Sequence, residues 1–301
     1  MTKNVATLIG LSAILLWSLM AGLIKKVSML LGADLGITLV YSCSALLVLL
    51  IFKLPNLRKI SKKYLFLGTL LFCGYELSFA FAIAYAENAQ QSIEVNIIHY
   101  LWPSLMVMAF ILVQELKFSI WVIFGLLLSI IGIIYIQTGE SGLDLNQVIE
   151  NFKSNPISYI LALAAAIIWS IYCVITKKMS EGNNPISIFF IFTAIILWIK
   201  FLWVEELLVP SLNLITTLYI VSAGLAVGLG YAAWNIGIMR GNITILVAAT
   251  YCSPILSSLS AMLILQTDLS VSFWKGTCMV IVGSFICWIA TNWNLIKRAS
   301  I

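Results

Sequence analysis

The chain has 301 residues, 62% of them hydrophobic and only 10% charged, and its 17 basic and 12 acidic residues leave a formal net charge of +5. Water-soluble domains run at about 45–50% apolar and about 25% charged, and no core of a chain this size would hide the excess. With a mean hydropathy of +1.06, the composition excludes a soluble enzyme, a nucleic-acid-binding module and a secreted disulfide scaffold, and makes membrane lipid the solvent for most of the surface.

A helix needs about 20 mostly apolar residues to cross the hydrocarbon. Ten stretches qualify: 5–24, 35–54, 64–86, 93–114, 118–138, 156–176, 186–206, 213–237, 243–265 and 273–293. The fold expected is an all-α polytopic membrane protein with ten transmembrane helices. The first stretch is too long for a cleaved leader and runs into Leu23-Ile24-Lys25-Lys26 with no small-residue cleavage site beyond it. A polar segment, 139–155, separates residues 1–138 from residues 156–301, five spans on each side. With a cytoplasmic N-terminus, twelve of the 17 basic residues fall on the inner side, the cluster from Lys53 to Lys63 dominating, so both termini are expected inside. Cys43, Cys73, Cys173, Cys252, Cys278 and Cys287 all lie in apolar stretches and read as small packable side chains.

The second half repeats the first. Trp17-Ser18 precedes Lys25-Lys26 by eight residues, as Trp169-Ser170 precedes Lys177-Lys178. Gly74-Tyr75 answers to Gly230-Tyr231, Tyr100-Leu101-Trp102-Pro103 to Tyr251-Cys252-Ser253-Pro254, and Gly125 with Gly132 to Gly276 with Gly283. An odd number of spans per half forces the halves to cross the membrane in opposite senses. Such an inverted-topology repeat is the architecture of many alternating-access transporters, which bind substrate near the midplane between the halves.

Intramembrane polar groups face a bundle interior or a wet cavity, because lipid contact is costly for them. In span four, Asn96, His99, Tyr100 and Pro103 share one helical face. Pro103 also leaves a carbonyl near residue 99 without its helical donor. Thr250, Ser253, Pro254, Ser257 and Ser258 repeat the design in span nine. Tyr231, Trp234 and Asn235 share a face of span eight, and Trp169, Tyr172 and Thr176 a face of span six. With Trp17, Tyr75 and Trp102 these residues make a candidate pocket with aromatic walls and a few polar anchors. An aromatic amino acid suits it: its ring stacks on Trp and Tyr, its ammonium takes ring faces or a carboxylate, and its carboxylate takes hydroxyl, amide or imidazole donors. Each of these tryptophans serves equally well as helix packing.

Glu76, halfway along span three, reads either as a proton carrier or substrate counter-ion or as a hydrogen-bonded packing group. Glu94, near the outer mouth of span four, is a candidate gate residue with Pro103 and Pro254 at the helix breaks. Trp203, Trp288, Trp293 and Tyr64, near span ends, are expected in the interfacial belt, and the conspicuous glycines are expected to permit close helix approach. His99 is the only histidine, which rules out a paired-histidine metal motif. Nucleophile elbow and phosphate loop are both missing, so neither a catalytic set nor a metal or cofactor site is expected.

Several strings resemble the drug/metabolite transporter superfamily, in its EamA-type branch, and within it the bacterial aromatic amino acid exporters. They are Ala6-Thr7-Leu8-Ile9-Gly10-Leu11, Ile93-Glu94-Val95, Tyr100-Leu101-Trp102-Pro103-Ser104-Leu105, Tyr231-Ala232-Ala233-Trp234-Asn235, Gly241-Asn242-Ile243-Thr244 and Ser272-Phe273-Trp274. The resemblance covers nearly the whole chain. It departs at His99, where the family pattern has an amide. It implies a secondary transporter that exports Phe, Tyr and Trp, and related amphipathic solutes, across a bacterial inner membrane. It also implies a central cavity lined mainly by spans one, three, four, six, eight and nine. The partners expected are the small-molecule substrate and membrane lipid, without nucleic acid, and a monomer would suffice. Efflux of cationic amphiphiles or of another small metabolite is the competing reading.

Overall fold

The computed structural model describes residues 1–138, 145–181, 183–204 and 212–299, and the elements within them are helical. In order they are α1 (Lys3–Leu31), α2 (Ala33–Phe52), α3 (Lys62–Ala84), α4 (Ala89–His99), α5 (Trp102–Leu112), α6 (Ile120–Thr138) and α7 (Leu145–Ser154). There follow α8 (Pro156–Met179), α9 (Ile186–Val204), α10 (Leu214–Arg240), α11 (Ile243–Thr250), α12 (Ser253–Leu265) and α13 (Val271–Ala299). Asparagines start three of them: Asn88, Asn155 and Asn213 each accept a backbone N–H three residues on with the side-chain oxygen, satisfying a donor the helix leaves open. Gly32, at φ 79° and ψ 160°, joins α1 directly to α2 through a conformation essentially closed to other residues.

Among the described residues, nine helical segments are long and apolar enough to cross a membrane, α4 and α5 counting together as one, and Ser253–Leu265 is a shorter apolar helix. With α11 ahead of it, that helix completes a tenth crossing, so the chain is a multi-pass membrane protein.

Spans four and nine, expected over 93–114 and 243–265 with helix breaks at Pro103 and Pro254, are interrupted just ahead of those prolines. Each breaks into two. Proline stands at the second position of α5 and of α12, has no N–H to donate, and its ring collides with the carbonyl four residues back. The chain responds identically in both places. Leu101 N–H bonds the Ile98 carbonyl and Cys252 N–H the Ala249 carbonyl, both i→i−3 at 3.0 Å; regular bonding resumes from Leu105 to Leu101 and from Leu256 to Cys252.

The polar segment 139–155 is also more than a linker. Residues 139–144 lie outside the described residues, but 145–154 form α7, where Val148, Ile149 and Phe152 share a face opposite Gln147, Asn151 and Ser154. Asn151 ties α7 to α6 by donating to the Gln137 carbonyl at 2.8 Å.

Helix pairing reveals a pseudo-two-fold axis. The α6–α13 contact runs through glycines: a Cβ on Gly132 would lie 2.6 Å from the Gly276 carbonyl oxygen, and one on Gly125 would overlap that of Gly283. Gly125 is the repeat mate of Gly276, and Gly132 of Gly283, so each glycine meets the mate of the other, the reciprocal pattern of a two-fold contact. The reversed order makes α6 and α13 antiparallel, as inverted halves require. The axis likewise relates α1 packed on α10 to α8 packed on α3. The main core lies where these pairs meet α2 and α9. Trp203 is 88% exposed on the lipid face, whereas Tyr64, expected in the interfacial belt, is buried and donates to Thr176 Oγ1 at 3.3 Å. The Trp293 side chain lies outside the described residues.

Candidate functional site

The four paired helices and the two breaks converge on one cavity. Trp17 and Met20 enter it from α1, Tyr75 and Phe79 from α3, His99 from the end of α4, and Tyr100 and Trp102 from the first break. Trp169 comes from α8, Tyr231 from α10, and Thr250 and Ser253 flank the second break. The walls are aromatic, and their contacts obey the repeat. Trp17 meets Tyr231 with ring centroids 5.3 Å apart, and the mates Trp169 and Tyr75 meet at 4.6 Å. Gly230 makes the first of these contacts possible, since a Cβ there would stand 2.6 Å from the Trp17 indole nitrogen.

The cavity measures about 60 Å³, against about 300–1,000 Å³ for pockets that hold a drug-sized ligand. At this volume the α1–α10 and α3–α8 pairs stand closed around the cavity. At the ends of α1 and α3 they are joined by main-chain capture: Lys25, only 4% exposed, donates to the carbonyls of Ala84 (3.3 Å) and Ala86. Beside it Lys200 pairs with Asp34, donates to the Tyr85 hydroxyl at 3.2 Å and lies 4.5 Å from the Phe81 ring centroid.

Trp17, Tyr75, His99, Tyr100, Trp102, Trp169, Tyr231, Thr250 and Ser253 thus meet in one place as the sequence suggests. Others stand behind the wall. Asn96 donates to Ser257 Oγ at 2.8 Å, so a neighbouring helix takes up its amide. Glu76 is fully buried off the cavity, where its Oε2 accepts from the Tyr41 hydroxyl at 2.6 Å. Tyr172 stacks on Trp169 at 5.2 Å, and Trp234 packs on Trp17 at 5.2 Å, each as a backing ring. Asn235 is half-buried away from the lining. Pro103 and Pro254 line a narrow crevice behind the breaks. Glu94, with Gln90 donating to it at 3.0 Å, faces a separate polar hollow of about 650 Å³ shared with Glu87, Gln137 and Asn151.

Met20 and Phe79 are the lining residues that a search for polar and indole side chains overlooks. Their spacing marks them: Met20 lies three residues after Trp17 and Phe79 four after Tyr75, each on the same helical face as its neighbour. No group of three or more metal-ligating side chains occurs among the described residues.

Residues 156–289 match the EamA-like transporter family. The aromatic amino acid exporter YddG of Salmonella typhimurium is 43% identical over 296 residues, covering 97% of this chain and 99% of the relative. That of Escherichia coli is 42% identical with the same coverage, and that of Ancylobacter novellus 26% identical over 86% of this chain and 88% of the relative. One solved crystal structure, 23% identical in sequence, covers 96% of this chain and 99% of its own with a TM-score of 0.66, which establishes the shared fold.

Proposed function

The chain belongs to the family of YddG aromatic amino acid exporters, among the EamA-like transporters, and on that footing we propose that it exports phenylalanine, tyrosine and tryptophan. The observation that carries the reading is the ring-walled cavity, in which the Trp17–Tyr231 and Trp169–Tyr75 pairs each set a ring of one half against a ring of the other. A substrate ring entering between them gains offset or edge-on contacts worth about 0.5–1.5 kcal/mol per pair beyond its area burial. Release stays fast because Lys and Arg are missing from the lining among the described residues, so no strong ion pair has to break.

The working unit is two five-span repeats, 1–138 and 156–301, joined by 139–155. Support comes from the reciprocal glycine contacts and from a family match that opens at residue 156. The excess of basic residues in one set of loops supports cytoplasmic termini, and the likeness to bacterial exporters supports an inner-membrane location. A monomer holds the whole cavity, and the substrate's own gradient, or an ion gradient, supplies the driving force without a cofactor.

Thermal unfolding of the purified protein in detergent tests the substrate. L-Phe, L-Tyr and L-Trp should each raise the unfolding temperature, and L-Ala and a lipophilic cation should leave it unchanged. Stabilisation by the cation alone would transfer the reading to cation efflux.

A further inference from the structure

Buried polar atoms in native proteins are nearly always hydrogen-bonded. The exceptions among the described residues are few, and two of the side chains concerned line the central cavity. His99 is 6% exposed, and neither of its ring nitrogens has a partner. The rings of Phe79, Tyr75 and Tyr100 surround it with centroids at 4.5, 5.6 and 5.7 Å, and neither tyrosine hydroxyl hydrogen-bonds the imidazole. The Trp17 indole nitrogen is likewise buried and unpartnered. The partner these groups lack has to arrive through the cavity they share.

What each can offer defines that partner. A neutral imidazole presents one N–H donor and one acceptor, and an indole presents a donor only. Two donors thus reach one small cavity from different helices, α1 and α4. The cavity wall also contains the first residues of α5 and α12, helices of 11 and 13 residues whose N-termini have no side-chain cap. Helix N-termini carry partial positive charge and open N–H groups. A group that takes several N–H donors and a positive potential, without a formal cation to hold it, is a carboxylate.

We propose that His99 and the Trp17 indole N–H grip the carboxylate of the substrate, and that they set the preference for amino acids over aromatic amines. This rests on the aromatic amino acid reading above. The ring of the substrate then lies toward Tyr75, Trp169 and Tyr231, and the carboxylate toward the two breaks.

Counterflow of labelled L-Phe in liposomes, competed by L-Phe or by L-phenylalaninol, reads the carboxylate directly, because the alcohol keeps ring and ammonium. In the wild type, L-Phe should compete at least tenfold better than the alcohol. Trp17→Phe, which keeps a ring and loses the N–H, and His99→Leu should each shrink that ratio about fivefold or more. His99→Gln, which restores an N–H donor, should keep most of it. A ratio read within each variant is independent of how much folded protein is present. Discrimination unchanged in both Trp17→Phe and His99→Leu, with the wild type still taking up Phe, would overturn this assignment alone. A wild type that takes up no Phe would overturn the substrate reading and this one with it.

Discussion

The Trp17 indole occupies the space that any side chain at position 230 would need: a Cβ on Gly230 would stand 2.6 Å from both Cδ1 and Nε1 of that ring. The repeat mate of this glycine, Gly74, has no such burden, its nearest neighbour being the Ile168 Cδ1 at 3.8 Å. The same landmark, a glycine before a tyrosine, is therefore functional packing in one half and open groove in the other.

Gly230→Ala should push the Trp17 ring out of place and reduce Phe counterflow about tenfold or more, with the protein still monodisperse and helical. Gly74→Ala should leave the rate within about twofold. Initial rates in liposomes at matched protein loading make the comparison, and equal rates for the two variants would remove Trp17 from the pathway.

Trp169 packs at a tilt on Tyr75 at 4.6 Å and stacks on Tyr172 at 5.2 Å. Trp169→Ala forfeits those surfaces for the substrate as well as for the wall. At about 0.5–1.5 kcal/mol for each ring pair, substrate affinity should fall roughly tenfold, with L-Trp affected most. Saturation of counterflow rates gives the affinity.

The α6–α13 seam should be the least forgiving part of the scaffold. Gly132→Ala would place a methyl 2.6 Å from the Gly276 carbonyl oxygen, a backbone atom that cannot swing aside. Overpacking of that kind costs about 1–3 kcal/mol. Thermal unfolding in detergent should show the loss, with substrate preference unchanged in whatever folded protein remains.

Glu76 separates two roles by its hydrogen bond. Glu76→Gln keeps an acceptor for the Tyr41 hydroxyl and should fold normally. Glu76→Leu leaves that hydroxyl buried without a partner, at a cost of about 1–3 kcal/mol. If counterflow and its pH dependence survive in Glu76→Gln, the residue is a packing group; loss of both with normal folding would make it part of the coupling.

Much of this was legible in the sequence, because the solvent is lipid. Apolar runs of helical length gave the crossings, and odd spans per half with repeated landmarks gave the inversion. Prolines 103 and 254 announced the disturbance, but not that each helix would stop four residues ahead of its proline and restart one residue ahead of it. The helix at 145–154 hid in a polar segment because its apolar residues, Leu145, Val148, Ile149 and Phe152, are too few to raise the average. In the site, aromatic and polar residues at helical spacing found most of the wall. What no single-helix pattern can show is a partner on another helix: Ser257 accepts from Asn96, and Tyr41 donates to one carboxylate oxygen of Glu76. Met20 and Phe79 escaped as apolar residues in apolar helices.

If the ring-walled cavity carries aromatic amino acids, counterflow of labelled L-Phe into liposomes containing only this protein will show it without any other component. Uptake should saturate, be competed by L-Trp and L-Tyr, and show an affinity for Phe about tenfold weaker in Trp169→Ala. Folded protein that shows no Phe uptake, with or without a pH gradient, would contradict it.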